Sequence, residues 1–264
     1  MKFLTTPYHY NLLNDLDRLS VFYEGINDYF NYKKPSKDCL IFDIGCGSGI
    51  LTYFIRNNTN SKIIAIEKYK KAFETAKQNL KELDNIELIN EDILNLEFDK
   101  KANLVICEML DTALIDEEEV LAINHIQNFL KNDFQIIPEG IINIAELVKT
   151  DREYIHYEDD SITNNYEVLS NSIKYSVIDF SKRINPKFKG ILEFKIKKDS
   201  IINGIKITSF TKIFKNIISG PTSMMNPSLF IPLKEKKVYK NNIISIDLEY
   251  SMGQGIKTIK TNFR

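Results

Sequence analysis

The chain of 264 residues, 43% of them apolar, is long enough to bury one large core or two modest ones. Its formal net charge is −1, but 18 basic and 31 acidic residues precede position 181, against 17 and 5 after it. Cys39, Cys46 and Cys107 are too few and scattered for a disulfide framework or a zinc site, His9, His125 and His156 lack metal-ligand spacing, and no apolar run reaches membrane-spanning length.

In chain order, Leu12, Leu16, Leu19, Tyr23, Ile26 and Phe30 recur at steps of four and three, which predicts an amphipathic helix or kinked pair over residues 9–30. Pro35 and Ser36 close it. Residues 40–50, LIFDIGCGSGI, then run from an apolar strand through Asp43 into Gly45, Gly47 and Gly49. Glycines there permit positive φ and close approach of a ligand to the backbone, and the following helix turns its free N–H groups toward that ligand. A dinucleotide fingerprint needs a third glycine where Ile50 stands, so D-x-G-x-G-x-G points to another nucleotide-like ligand.

A helix is expected over residues 49–57, a strand over 63–66 ending in Glu67, and a helix over 69–83. A carboxylate at the tip of a second strand can grip ribose hydroxyls, which is the role expected of Glu67. Strand 86–90 leads to Glu91, Asp92 and Ile93, where Asp92 either receives an adenine amino group or caps a helix. Strand 102–107 delivers Glu108 at the end where open parallel sheets bind ligands. Asp116, Glu117, Glu118 and Glu119 are expected to load the first turn of a helix reaching about 131, as its dipole favours. A strand turning at Pro138, Glu139 and Gly140 completes the sheet. From residue 147 onward, segments such as ILEFKIKKD, GIKITSFTKIF and NIISIDLEY alternate apolar and polar residues, which predicts an all-β region.

The glycine segment resembles motif I of the class I S-adenosylmethionine (SAM) methyltransferases. Residues 108–117, EMLDTALIDE, are similar to the double-glutamate hairpin of the protein arginine methyltransferases, with the same separation of nine positions. HYNLLNDLDR, residues 9–18, resembles that family's N-terminal helix, and IIPEG, residues 136–140, resembles the point where its sheet gives way to a β-barrel. The resemblance implies an α/β fold: an N-terminal helix plus a Rossmann-like class I methyltransferase domain over residues 1–146, and a smaller β-barrel-like domain over 147–264. It implies SAM as cofactor and S-adenosylhomocysteine as product. His9, Arg18, Asp43, Gly45, Gly47, Gly49, Glu67, Asp92 and Ile93 are the expected cofactor-binding residues, with Glu108 and Glu117 as catalytic residues and no metal.

Departures from the family narrow this. The Thr-His-Trp loop of the family is matched by Ser223, Met224 and Met225, and the aromatic residues between its glutamates by Met109, Leu110, Asp111 and Thr112. The stretch over about 158–180, where the family carries a dimerisation arm, is short and polar, so the usual dimer is not expected. The expected activity is methyl transfer to a protein side chain, arginine leading. Other protein residues, a small molecule, RNA reached through the basic C-terminal part, and a non-catalytic SAM-binding module are the alternatives. The plainer reading of the lysines is that they line exposed strands and discourage edge pairing. MKFLTTPYHYNLLND lacks a leader's layout, so a cytoplasmic protein without a membrane anchor is expected.

Overall fold

In the computed structural model, which describes residues 3–36, 38–159, 161 and 165–264, Asp15 divides the N-terminal helix in two. Helix α1 spans Pro7–Asn14, capped by the Thr6 side chain with Pro7 in its first turn, where the missing N–H costs nothing. Helix α2 spans Leu16–Lys33, and the Asp15 carboxylate caps it by accepting the Arg18 amide at 3.0 Å. The kinked pair is thus the form taken. The buried face of α2 is Arg18, Phe22, Gly25, Ile26, Tyr29 and Phe30, whereas Leu16 is 72% and Tyr23 48% exposed, so the expected stripe holds at Ile26 and Phe30 and is corrected at Leu16 and Tyr23.

The opening sheet is parallel, with strands β1 (Leu40–Ile44), β2 (Lys62–Ile66), β3 (Ile86–Ile89), β4 (Ala102–Cys107) and β5 (Leu130–Ile137) in the order β3-β2-β1-β4-β5. Every residue of β1 is buried, as expected of a strand covered on both faces. Helices α3 (Ile50–Arg56) and α4 (Lys70–Leu80) follow β1 and β2. Helix α5 is shorter than expected, Glu119–Ile126, followed by a single 3-10 turn at Gln127–Phe129, because pairing of β5 with β4 takes over the chain from Leu130.

After the cis Ile137–Pro138 bond the chain leaves this sheet. Strand β6 (Gly140–Thr150) pairs with strands of the second half of the protein. The further strands are β7 (His156–Tyr157), β8 (Tyr166–Val168), β9 (Ile173–Asp179), β10 (Lys187–Lys195), β11 (Ser200–Phe214), β12 (Ile217–Ser219), β13 (Leu229–Val238), β14 (Ile243–Ser251) and β15 (Lys260–Phe263). They form one antiparallel sheet ordered β7-β13-β11-β6-β8, with β12 on β11 and β9 on β6, and another ordered β10-β14-β15. Part of the short polar stretch over 158–180, namely 160 and 162–164, lies outside the described residues.

Helix α2 packs on β11, with Tyr29 edge-on to Phe214 at 6.0 Å between centroids. Phe22 and Ile26, both 0% exposed, belong to a core continuous from the parallel sheet to Ile205, Ile207 and Ile213 of β11. Each such side chain contributes about 1.5–3 kcal/mol by leaving water. One core therefore spans both halves, and the helix bearing Arg18 is fixed by the barrel as much as by the sheet. No described helix is long and apolar enough to cross a membrane.

Candidate active site

Parallel strands that end in one plane bring their C-terminal residues together. Here the loops after β1, β2, β3 and β4, joined by α1, α2 and the barrel, enclose a cavity of about 850 Å³. His9, Arg18, Gly45, Gly47, Glu67, Asp92, Ile93, Glu108 and Glu117 all line it. Asp43 and Gly49 lie behind its wall and do not.

The glycine turn sets one side. Gly45 and Gly47 have φ of +68° and +54°, and a Cβ on Gly47 would come within 2.8 Å of Nε2 of His9. The Gly47 amide donates to Oε2 of Glu67 at 3.0 Å, and the Tyr69 amide to Oε1 at 2.7 Å. Glu67 thus ties β2 to the turn while facing the cavity. His9 is aimed by Thr6, whose hydroxyl lies 2.7 Å from Nδ1, and burial followed by the charge of Arg18 holds its imidazole below the usual value. Asp92 does cap a 3-10 turn by accepting the Leu94 amide at 2.9 Å, and also lines the cavity beside the buried Ile93.

Glu108, immediately after β4, meets Arg18 in a buried ion pair, the two side chains 6% and 5% exposed. Both Nε, at 3.1 Å, and Nη2 of Arg18 donate to Oε2. Among the described residues no hydrogen bond reaches the other oxygen, Oε1. Nη1 of Arg18 donates to the Leu12 carbonyl at 3.2 Å, so the guanidinium also joins α1 to α2.

Glu117 comes from the loop between β4 and α5, which turns through Ala113 and Leu114 with φ of 60° and 59°. Burial and the charge of Glu108 push its carboxyl upward. The sequence did not single out what holds this loop. Asp111, 8% exposed, accepts the amides of Ile115, Asp116 and Glu117 at 2.9, 3.0 and 3.2 Å. Tyr157 of β7 places its hydroxyl 3.0 Å from Asp111 and 2.7 Å from Asp116. The amides of Gly253 and Gly255 donate to the Leu114 and Ile115 carbonyls at 2.9 and 2.8 Å, so the barrel grips the loop from outside. An Asp directly before a short helical turn and the G-x-G at 253–255 were the only local signals.

The acidic run after it is also corrected. Helix α5 begins at Glu119, so Asp116, Glu117 and Glu118 precede it and are held by tertiary contacts, not by its dipole. Glu118 reaches across the cavity margin to pair with Lys68. The barrel loop of Ser223, Met224 and Met225 meets the helix break: Asp15 accepts the Thr222 hydroxyl at 2.5 Å and the Met224 amide at 3.2 Å. Met224 faces the cavity, while Met225 is buried in the core.

Asp43 supports the site from below. It is 1% exposed and accepts the Thr52 hydroxyl; burial pushes its carboxyl up to about 7, opposed by Thr52, with Glu108 and Glu67 adding to the rise. The native state therefore keeps a proton that the unfolded chain releases above about pH 4. Stability from this group is intact below that value and is lost as pH rises through about 7. Asp43→Asn is expected to remove this loss, so its melting temperature should fall less than the wild-type one between pH 5 and 8, by on the order of 5 °C. Parallel melting curves for the two proteins would refute the assignment.

The cavity suits SAM on its own features. Its size lies within the roughly 300–1,000 Å³ of small-molecule sites, a Cβ at Gly47 would fill its glycine cradle, and it offers both a carboxylate and a guanidinium to a ligand carrying hydroxyls, an amino group and a carboxylate.

Comparison with known proteins agrees. The model of a methyltransferase domain family matches residues 35–198. The chain is 40% identical over 263 residues to an uncharacterised protein of Methanothermobacter thermautotrophicus, covering 99% of each. It is 28% identical over 153 residues to protein arginine N-methyltransferase 7 of Xenopus laevis, 54% of this chain and 22% of that protein. A solved structure, the Trypanosoma brucei PRMT1 enzyme–prozyme heterotetrameric complex with AdoHcy, superposes with a TM-score of 0.78 at 13% identity, over 98% of this chain and 96% of that one, which establishes the shared fold. The chain belongs to the methyltransferase domain family and has the fold of the protein arginine methyltransferases.

Proposed function

We propose that the protein methylates an arginine side chain of a protein or peptide, with Glu108 and Glu117 holding the guanidinium. The observation that carries this reading is that both carboxylates line one cavity with the Gly45 and Gly47 turn. His9, Arg18, Glu67, Asp92 and Ile93 complete the cofactor side in this proposal, and Asp43 and Gly49 support it from behind.

SAM supplies a methyl group on a sulfonium centre that is already a good leaving group. The residues of the chain align and neutralise. Nε and Nη2 of Arg18 both go to Oε2 of Glu108, which leaves Oε1 to accept an N–H of the acceptor. A guanidinium is always charged and presents a fork of donors, so a second carboxylate on Glu117 fixes its plane. Glu117, pushed upward by burial and by Glu108, is the group placed to receive the proton lost by the methylated nitrogen. Alignment of this kind supplies up to about 7–11 kcal/mol. Met109, Leu110 and Met224 line the cavity as apolar walls in place of aromatic ones.

The test is to incubate the protein with methyl-labelled SAM and an arginine-containing peptide, with a lysine-for-arginine peptide as control. Methylarginine in the hydrolysate of the first alone is expected. Label appearing equally on both peptides, or on neither, would remove arginine as the acceptor. The same labelling in cell extract separates protein from RNA: label on protein survives nuclease, and transfer to RNA would weaken steeply as salt rises.

A further inference from the structure

Glu119 has no place in the reading above, yet it is 0% exposed and its side chain touches both neighbours of Glu108. Its Oε2 accepts the Met109 amide at 2.8 Å and the Cys107 thiol at 3.5 Å. Oε1 is buried without a partner among the described residues. We infer that Glu119 is a positioning residue that fixes Glu108 at the end of β4 by bracketing it through residues 107 and 109, a role that rests on Glu108 facing the acceptor.

The physical case starts from where β4 ends. Beyond Cys107 the chain leaves the sheet, and the Met109 amide needs an acceptor that no strand provides; a donor left unmet away from water is costly. Glu119, as the first residue of α5, fills that need from an element packed across the sheet end. Glu108 can then turn toward Arg18 and the cavity between the Cys107 side chain and the Met109 amide, both held by Glu119.

The bracket favours a neutral side chain over a third negative charge. Burial drives the Glu119 carboxyl well above the ordinary range, the Met109 amide opposing and Glu108 and Glu117 adding to the rise. A protonated acid still offers an oxygen to the N–H and S–H. It also spares the two substrate-facing carboxylates a like-charged neighbour, which would weaken their hold on a cation.

Two variants separate this role from simple core support. Glu119→Gln keeps the shape and the acceptor without a titratable proton; Glu119→Leu keeps the volume and loses the acceptor. Exchange of the Met109 amide, followed by NMR, should accelerate at least about tenfold in Glu119→Leu, and Glu119→Gln should restore protection to within about twofold. For the arginine peptide, kcat should fall at least about tenfold in Glu119→Leu and recover in Glu119→Gln, while KM and the calorimetric Kd for SAM stay within about threefold.

Unchanged Met109 exchange and kcat in Glu119→Leu would overturn the bracket. So would a Glu119→Leu protein that also loses SAM affinity, because the residue would then serve the whole fold. A Glu119→Gln protein as impaired as Glu119→Leu would show that the ionised form is needed, contrary to the assignment. If the peptide is not a substrate, the Proposed function fails while Met109 exchange still decides the role of Glu119.

Discussion

Replacing Glu108 by Gln should lower methyl transfer on the order of 10²–10³-fold, the loss typical of removing one preorganised electrostatic contact at a reacting centre. Gln retains the shape and an oxygen for Arg18, so the cavity wall stays in place. It loses the charge that would hold a guanidinium. Arg18, 5% exposed, is then a buried cation without its anion, and that should destabilise the free protein by a few kcal/mol. The same unpaired cation attracts the carboxylate end of SAM more strongly, so calorimetry should find cofactor affinity held or increased. The decisive result is the combination of lost transfer with retained binding. If Glu108→Gln transferred methyl groups to the native acceptor at the wild-type rate, the carboxylate would not serve the acceptor. If it lost SAM affinity, Glu108 would belong to the cofactor side of the cavity.

The parallel sheet was legible because strands covered on both faces must be continuously apolar. LIFDI and ANLVIC therefore marked β1 and β4 without help from distant residues, and the residue after Cys107 had to sit at the ligand end. The face of α2 was not legible. Arg18, Phe22, Gly25 and Tyr29 share the buried side of α2 with Ile26 and Phe30, a polar and a small residue among them, so the face is centred to one side of the apolar stripe and leaves Leu16 and Tyr23 outside it. The supports of the two glutamates were hidden for a different reason. Acidic residues read as solvent-facing or dipole-compensating until their partners are known, and those of Asp111 include Tyr157, while Glu119 depends on the amide of Met109, a group with no sequence signature.

The three glycines of the opening motif look equivalent in sequence, and the fold gives two of them opposite duties, which leads to a paired prediction. Gly47 faces the cavity, with φ of +54° and His9 packed where a side chain would start. Valine there must adopt a left-handed backbone that costs about 1–2 kcal/mol, displace the imidazole and disturb the amide given to Glu67. Gly47→Val should therefore weaken SAM binding at least about 100-fold, since a contact surface and a charge-assisted hydrogen bond are lost together. Gly49 has φ of +86° and faces Leu80 and Ala76 of α4, with a Cβ only 2.8 Å from Leu80 Cδ1. Gly49→Ala should lower stability by a few kcal/mol and leave SAM affinity within about threefold, because nothing on the cavity side moves first. Calorimetry and melting curves on the two variants check both halves. Normal SAM affinity in Gly47→Val would remove the glycine turn from the cofactor site, and equal losses of affinity in both variants would mean that the turn acts as one rigid body whose two faces cannot be separated.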